Sequence, residues 1–193
     1  MPNIFTIKNF INPQTIQELN AWVNVGVDKK WLDFGYNNSP SLYTKRVNSR
    51  YYADRYQYPQ VVYDVSKKIT ERLQIDDLPL FFFGGGKDGI VVSCTFPDGE
   101  VASHTDNTDG SCHVLRCNIL SRAADRGGHL IMNGQKIDIE VGELHCYLAS
   151  DNEHSVSKVE GGTSRILWMF GYECSKDKFN QLLGEVNDVA ITN

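Results

Sequence analysis

Three residues have the types and spacing of a metal site: His104 and Asp106, two positions apart in His-Thr-Asp, and His154, fifty residues later. In an extended chain, residues two positions apart point to the same side. His104 and Asp106 can therefore face one point from the end of a strand, and His154 begins another predicted strand. Two imidazoles and one carboxylate leave coordination positions open, the ligand set typical of non-haem iron(II) sites. A single His-x-Asp is common by chance, so this motif needs further support.

Arg165 supplies that support, eleven residues after His154. A strand, a turn at Glu160-Gly161-Gly162 and a return strand fit between the two, which predicts Arg165 near the metal but one layer deeper. Its neighbours at 166–170 are apolar, and a charge on so apolar a strand needs a partner. A guanidinium binds a carboxylate through two parallel hydrogen bonds. The partner is therefore either a protein carboxylate or the distal carboxylate of an oxoacid such as 2-oxoglutarate.

The segments that must position these residues are short and rich in β-branched and aromatic side chains, with turn signals between them. Eight strands at such spacing are typical of a β-sandwich or barrel. The predicted strands cover residues 79–83, 89–96, 113–120, 128–133, 136–140, 143–149, 154–159 and 164–172.

Helices flank this β-core, and residues 31–58 between the first two are aromatic, polar and irregular. Proline at the first helical position marks a helix start. The predicted helices cover about 13–24, a segment opened by Pro59, and 176–183, where Gly184 would end the last one.

The length of 193 residues predicts a single domain. We expect a helical support and lid region at 1–77, a jelly-roll core at 78–174, and a C-terminal helix and tail at 175–193. The hydrophobic fraction of 41% is enough to bury a core without a structural metal. A metal site here is therefore expected to be functional.

Composition also restricts the partners and the location. A net charge of −5 argues against a nucleic-acid-coating protein. The five cysteines are odd in number and form no C-x-x-C pair, which disfavours a disulfide framework or a cysteine zinc site. We see no signal peptide and no apolar run long enough to cross a membrane. We expect a cytoplasmic protein with a small-molecule partner, without nucleic acid or membrane, and of undetermined oligomeric state.

The region from His104 to Tyr172 resembles the 2-oxoglutarate/iron(II) oxygenase superfamily, in its prolyl-hydroxylase-like branch. An ordered set of motifs carries the resemblance, and this set is far more specific than any one piece. The motifs are HTDN at 104–107, HVLRCNILS at 113–121, RGGHLIM at 126–132, IEVGELHCYLASDNEHSV at 139–156 and GGTSRILWMFGY at 161–172.

The resemblance implies a mainly β fold, the double-stranded β-helix or jelly roll of cupin-like proteins, packed on the N-terminal helices. It also implies that His104, Asp106 and His154 bind Fe(II) and that Arg165 anchors 2-oxoglutarate. The expected reaction, with O2, is a hydroxylation that releases succinate and CO2. Two other readings stay open: a cupin-like metal enzyme that needs no 2-oxoglutarate, and a non-catalytic jelly-roll module that binds a ligand.

Arg116 and Asn118 lie two positions apart on one predicted strand, so they share a face. We expect this face to point into the barrel and to help bind the oxoacid or substrate, although a register slip of one residue would turn it outward. Gly127-Gly128 is interpreted as turn geometry rather than a phosphate site. The remaining histidines, His113, His129 and His145, are interpreted as ordinary strand residues.

Residues 42–58 reverse the acidic character of the chain locally, with arginines and a lysine among five tyrosines. One interpretation is a solvated loop that packs on the barrel. The other is a cover over the barrel mouth, in which Arg46, Arg50 and Arg55 bind an anionic or zwitterionic substrate such as an amino acid or its derivative. The substrate itself is not identified by the sequence.

Overall fold

A computed structural model describes residues 3–30, 32–34, 43–49, 57–81, 89–106, 108 and 112–190. Within these ranges the helices are α1 (Pro13–Asp28), α2 (Gln60–Leu73) and α3 (Lys176–Ala190). The strands are β1 (Ile4–Ile7), β2 (Asp33–Phe34), β3 (Tyr43–Asn48), β4 (Ile90–His104), β5 (His113–Arg122), β6 (Arg126–Gly127), β7 (Leu130–Met132), β8 (Gln135–Ile137), β9 (Leu144–Leu148), β10 (His154–Val156), β11 (Val159–Glu160) and β12 (Arg165–Cys174).

Ten strands form one curled antiparallel sheet, eight of them in the order β1-β9-β5-β12-β4-β10-β7-β8. The other two extend it from β4: β3 pairs with β4, and β2 pairs with β3. The long strand β4 joins the two halves of the barrel. Its first part pairs with β12, where Thr95 lies opposite Arg165, and its last part pairs with β10, where His104 lies opposite His154. The predicted jelly-roll fold is therefore confirmed.

The outer face of the larger half of the sheet packs on the helices. Alternate residues of β12, such as Ile166, Trp168 and Phe170, are buried in one apolar cluster with Leu19 of α1 and Ile69 of α2. The helices are amphipathic, and they bury the side that carries these apolar residues. This cluster fixes the outer face of the strands.

The opposite face of the same strands lines the barrel interior. Leu167 and Met169 of β12 form a small interior cluster with Val91 of β4 and Leu120 of β5. Because side chains alternate along a strand, Arg165 shares this inner face with Leu167 and Met169. The sequence pattern of β12 therefore directs its charged residue inward.

Two helices are longer than predicted. Helix α1 continues to Asp28 rather than ending near residue 24, and α3 continues through Gly184 to Ala190. Gly184 is not among the glycines with a positive φ. A glycine ends a helix when it takes the left-handed conformation, so the predicted stop at Gly184 is wrong.

The predicted strand 89–96 should end before the turn residues Pro97-Asp98-Gly99, but these residues form a bend within β4. Asp98 takes a φ of 65° there, and its carboxylate accepts a hydrogen bond from Lys45 and pairs with Lys158, each at 3.1 Å. The Lys45 hydrogen bond and then the Lys158 hydrogen bond lower the pKa of Asp98. The turn residues bend the strand without ending it, because each side of the bend has a different partner strand.

The interpretation of residues 31–58 as irregular is also wrong in part, because β2 and β3 lie there and β3 pairs with β4. Strand β1 was not predicted either. Of the predicted strand 79–83, Leu80 forms one isolated bridge with Tyr172, and its last two residues lie outside the described ranges. In the part of the chain that the structure describes, no helix has the length and apolarity needed to span a membrane. The cytoplasmic location remains a prediction.

Candidate metal and oxoacid site

The barrel fold brings His104, Asp106 and His154 together. One ligand atom from each lies within 4.8 Å of the others. The Nε2 atoms of His104 and His154 are 3.9 and 4.0 Å from Oδ1 of Asp106. The two histidines are cross-strand partners on β4 and β10, and the Asp106 backbone N–H donates to the Ala149 carbonyl at 3.0 Å. The backbone therefore positions all three residues.

Hydrogen bonds to the backbone set the tautomer of both histidines. Nδ1 of His104 lies 2.9 Å from the carbonyl oxygen of Ala102, and Nδ1 of His154 lies 2.9 Å from that of Asn152. Since a carbonyl oxygen only accepts, Nδ1 carries the proton in the neutral tautomer of each ring, and Nε2 is the nitrogen left to bind a metal. Such outer hydrogen bonds orient the histidine ligands of metal sites.

Arg116 fixes the orientation of the Asp106 carboxylate. Its Nε and Nη2 donate to Oδ2 at 2.7 and 2.6 Å. The other oxygen, Oδ1, faces the two imidazoles. The donor set is therefore two imidazole nitrogens and one carboxylate oxygen, which fits a non-haem iron(II) ion with positions left for further ligands.

The electrostatics of the cluster favour metal-binding protonation states. Burial lowers the pKa of His154 to about 4, although Asp106 acts in the opposite direction, so the ring is neutral near pH 7. Burial alone would raise the pKa of Asp106, but the charge of Arg116, joined by that of His154 once its ring is protonated in acid, brings it below its ordinary value. A neutral imidazole and an ionised carboxylate are the forms that bind metals.

Arg165 is buried at the start of β12, with 3% of its surface exposed. Burial lowers its pKa to about 10, so it remains charged at neutral pH. Among the described residues no carboxylate forms an ion pair with it, and its Nε has no hydrogen-bond acceptor. A buried charge without a partner is strongly unfavourable. This arginine therefore has the surroundings expected of a residue that binds an anionic ligand.

The Gly127-Gly128 pair makes room for Arg165. Both glycines have positive φ, 64° and 63°, which L side chains rarely adopt. A Cβ on Gly128 would lie 3.2 Å from Cδ of Arg165, and one on Gly127 would collide with the carbonyl oxygen of Lys158. The pair serves as tight backbone geometry, as predicted. A cleft of about 300 Å³ reaches Arg165 at this end of the barrel.

Arg116 and Asn118 both lie on the inner face of β5, as the alternation predicted. The Nδ2 of Asn118 donates weakly to the Tyr147 hydroxyl at 3.4 Å, whereas Arg116 binds Asp106. Arg116 thus contacts a predicted metal ligand directly. A contact of either residue with the oxoacid stays a prediction.

Arg46 lies near Arg165. The two arginines are both cross-strand partners of Thr95, from opposite sides of β4. Paired residues in a sheet project from the same face, and the like charge of Arg46 adds to the burial that lowers the pKa of Arg165. The other two predicted substrate residues, Arg50 and Arg55, lie outside the described residues.

The sequence interpretation missed two inner-face residues of β9, His145 and Tyr147. His145 is fully buried and is the cross-strand partner of Asn118, and Tyr147 is the partner of Arg116. Burial raises the pKa of Tyr147 to about 12. The available signal was their spacing of two, which places both on one face of a predicted strand. His113 lies on β5, while His129 lies just outside β7.

No protein-family model matches this chain, and no curated protein matches its sequence. Solved structures do match. A prolyl-4-hydroxylase from Pseudomonas putida is 15% identical, with a TM-score of 0.65 over 91% of this chain and 94% of the other. A prolyl hydroxylase from Trichoplax adhaerens, in complex with a hypoxia-inducible-factor peptide fragment, is 13% identical, with a TM-score of 0.68 over 94% and 87%.

HygX from Streptomyces hygroscopicus, with nickel, 2-oxoglutarate and hygromycin B bound, is 9% identical, with a TM-score of 0.62 over 91% of this chain and 84% of HygX. At these identities the likeness shows the fold. This chain has the jelly-roll fold of prolyl hydroxylases and related 2-oxoglutarate-binding proteins. The resemblance to the prolyl-hydroxylase-like branch is confirmed at the level of that fold.

Proposed function

We propose that this protein is an Fe(II)- and 2-oxoglutarate-dependent dioxygenase that hydroxylates a small anionic or zwitterionic molecule. One observation carries the proposal: the His104, Asp106 and His154 cluster lies in the same barrel as the guanidinium of Arg165, which has no counterion among the described residues. A metal site alone would fit several enzymes. A metal site together with a buried cation that pairs with no carboxylate in the described part of the chain fits a chelating dicarboxylate.

The protein's part in this reaction is binding and orientation. His104, Asp106 and His154 would hold the iron, and Arg116 would keep Oδ1 of Asp106 directed at it. Arg165 would hold the distal carboxylate of 2-oxoglutarate, and the apolar interior beside it would exclude water. Bound iron(II) supplies the oxidative chemistry, in which O2 and 2-oxoglutarate give succinate, CO2 and a hydroxylated substrate.

The substrate class is supported by charge. Arg46 adds a second cation beside Arg165 on the face that lines the barrel. Two neighbouring cations favour anionic groups, and one of them can act on the substrate while Arg165 holds the oxoacid. The related structures themselves differ in what they bind, a peptide fragment in one and hygromycin B in another. The fold therefore leaves the substrate open.

The reaction class is tested without knowing the substrate. Anaerobic addition of Fe(II) and 2-oxoglutarate should produce a weak visible charge-transfer band, and admission of O2 should then give succinate. Neither a cupin-like enzyme without an oxoacid nor a binding module would give the band. Absence of the band with Fe(II) demonstrably bound would reject the proposal.

The substrate class is tested by screening amino acids and their derivatives for stimulated succinate formation. Once a substrate is found, Arg46→Ala, Arg50→Ala and Arg55→Ala are compared with wild type. At least one should raise the substrate KM or uncouple succinate formation from product, with the dissociation constant of 2-oxoglutarate unchanged. If all three variants behave like wild type, residues 42–58 have a structural role and do not bind the substrate.

A further inference from the structure

His145 is a polar residue in an unusual position. It lies on the inner face of β9 with none of its surface exposed. Neither ring nitrogen has a hydrogen-bond partner among the described residues. Its ring stacks on Tyr147, with centroids 6.3 Å apart and planes 6° apart. Stacking fixes the ring plane but satisfies neither nitrogen.

Other unsatisfied polar atoms lie nearby on the same inner face. The cross-strand partner of His145 is Asn118, whose Oδ1 is buried and accepts no hydrogen bond from a described residue. The positive charge of Arg165 also acts on His145 and, after burial, helps to lower its pKa to about 3. At neutral pH the ring is therefore uncharged, with one N–H donor and one acceptor nitrogen.

Leaving such atoms unpaired is costly. A buried donor or acceptor without a partner has lost its hydrogen bonds to water and gained none in the protein, which destabilises the folded state. Leucine or methionine would fill this space without that cost, as Leu120 and Met169 do elsewhere on the inner face. The inner face thus retains a polar ring as well as Arg165, a buried cation without a counterion among the described residues, and this points to a ligand that satisfies both residues.

We propose that His145 donates a hydrogen bond to the same acid group that Arg165 binds, and so serves as a second anchor for the distal carboxylate of the oxoacid. The proposal rests on the proposed function and adds a recognition residue to it. The His145 ring on β9 and the Arg165 guanidinium on β12 would bind the carboxylate from two different strands. Two such contacts would fix the position of the distal carboxylate and so limit the chain length of the oxoacid that fits.

The test is calorimetric titration of 2-oxoglutarate into Mn(II)-loaded protein. His145→Leu should raise the dissociation constant roughly tenfold or more, because a hydrogen bond to a charged group is lost. Mn(II) affinity should not change. Asn and Gln place an amide near the positions of Nδ1 and Nε2 respectively, so one of His145→Asn and His145→Gln should recover part of the affinity.

Two comparisons distinguish a role of His145 in binding 2-oxoglutarate from a role in packing the barrel interior. Cys146→Ala is the matched control, because Cys146 is the next residue on β9, equally buried, and faces the helices. It should leave the dissociation constant within twofold of wild type. The double variant with His145→Leu and Arg165→Met should lose less 2-oxoglutarate binding free energy than the sum of the losses in the two single variants. The reason is that both residues bind the same carboxylate.

A measurement on the wild-type protein covers the case in which His145→Leu fails to fold. In Zn(II)-loaded protein with ¹⁵N-labelled histidine, the His145 ring signals should shift on addition of 2-oxoglutarate. Unchanged ring signals, or a dissociation constant within twofold of wild type in folded His145→Leu, would overturn the proposal and make His145 a packing residue. Wild-type protein that binds Mn(II) but no 2-oxoglutarate would overturn the proposed function as well.

Discussion

The two faces of strand β12 both bury their side chains, but one face is apolar and the other carries a buried cation. On the helix face, Ile166, Trp168 and Phe170 are almost completely buried in the main apolar cluster. On the barrel face, Arg165 is buried nearly as deeply but has no counterion among the described residues. Burial on the helix face stabilises the fold, whereas the polar groups buried on the barrel face support the proposed ligand site.

The same contrast extends to the neighbouring strands. Within the described part of the chain, buried side-chain atoms without hydrogen-bond partners occur on the barrel face at Thr95, Asn118, His145 and Arg165, and on the helix face at Trp168. Native proteins satisfy most buried polar atoms. A concentration of unsatisfied atoms on one face therefore supports the proposal that this face binds a ligand.

The largest effect is expected at the metal cluster. His154→Ala should abolish turnover and weaken iron binding by more than the roughly 10–100-fold that follows loss of an outer partner. Fe(II) binding and succinate formation measure this. His113→Ala is the matched control, because His113 pairs with Asp151 outside the cluster. Full activity of His154→Ala would reject the triad.

Arg165 should give the next largest effect. Arg165→Met should weaken 2-oxoglutarate binding by about 2–5 kcal/mol, since it removes one partner of a buried charge pair. Arg165→Lys should be milder but still impaired, because the two-pronged contact is lost. Calorimetry measures both, with metal affinity as the internal reference. Normal 2-oxoglutarate binding in both variants would mean that another basic residue binds the distal carboxylate, and Arg116 would be tested first.

Acid should destabilise the protein through the barrel face. Burial lowers the pKa of His154 to about 4 and that of His145 to about 3, from an ordinary 6.5. The unfolded chain therefore binds protons first, and the free energy of unfolding falls as pH drops from 6.5 towards 4. Each pKa unit corresponds to about 1.4 kcal/mol.

Urea unfolding of metal-free protein at pH 7, 5.5 and 4.5 measures this acid sensitivity. The free energy of unfolding should fall less steeply with decreasing pH in His145→Leu than in wild type. The carboxylate of Asp106, whose pKa is below its ordinary value, contributes only at lower pH. An identical slope in the variant would show that His145 is not buried as a neutral ring.

The smallest effect tests the helix face. Ile166→Val should lower the free energy of unfolding by about 0.5–1.5 kcal/mol, the usual range for this substitution in a core. The dissociation constant of 2-oxoglutarate should stay within twofold of wild type, because Ile166 points away from the barrel interior. Urea unfolding and calorimetry on the same preparation compare the two properties directly. A large loss of oxoacid affinity would mean that the faces are not independent.

The sequence predicted the parts of the fold that depend on local pattern. Alternation in β5 correctly placed Arg116 and Asn118 on the inner face, and the motif spacing placed His104 and His154 at strand ends that the structure brings together. The double glycine before β7 was correctly interpreted as turn geometry. These features are decided by side-chain alternation and by backbone sterics, which a sequence displays directly.

Features that depend on distant partners were missed. The Pro97-Asp98-Gly99 segment looks like a turn, but pairing on both sides keeps β4 continuous. Strand β3 carries no strong alternation and is held by pairing with β4. His145 was passed over because a lone histidine on a strand gives no sign of burial or of its neighbours. Its surroundings come from three strands that lie far apart in the sequence.

The continuity of β4 has a consequence for how this chain tolerates changes in length. Thr95, opposite Arg165, and His104, opposite His154, lie on this one strand on either side of the bend at Asp98. An added or deleted residue between them would shift one pairing register against the other and rotate His104 away from its partner. Loop grafting and tag insertion should therefore avoid 96–103, and the exposed turn at Gly134 is the better site.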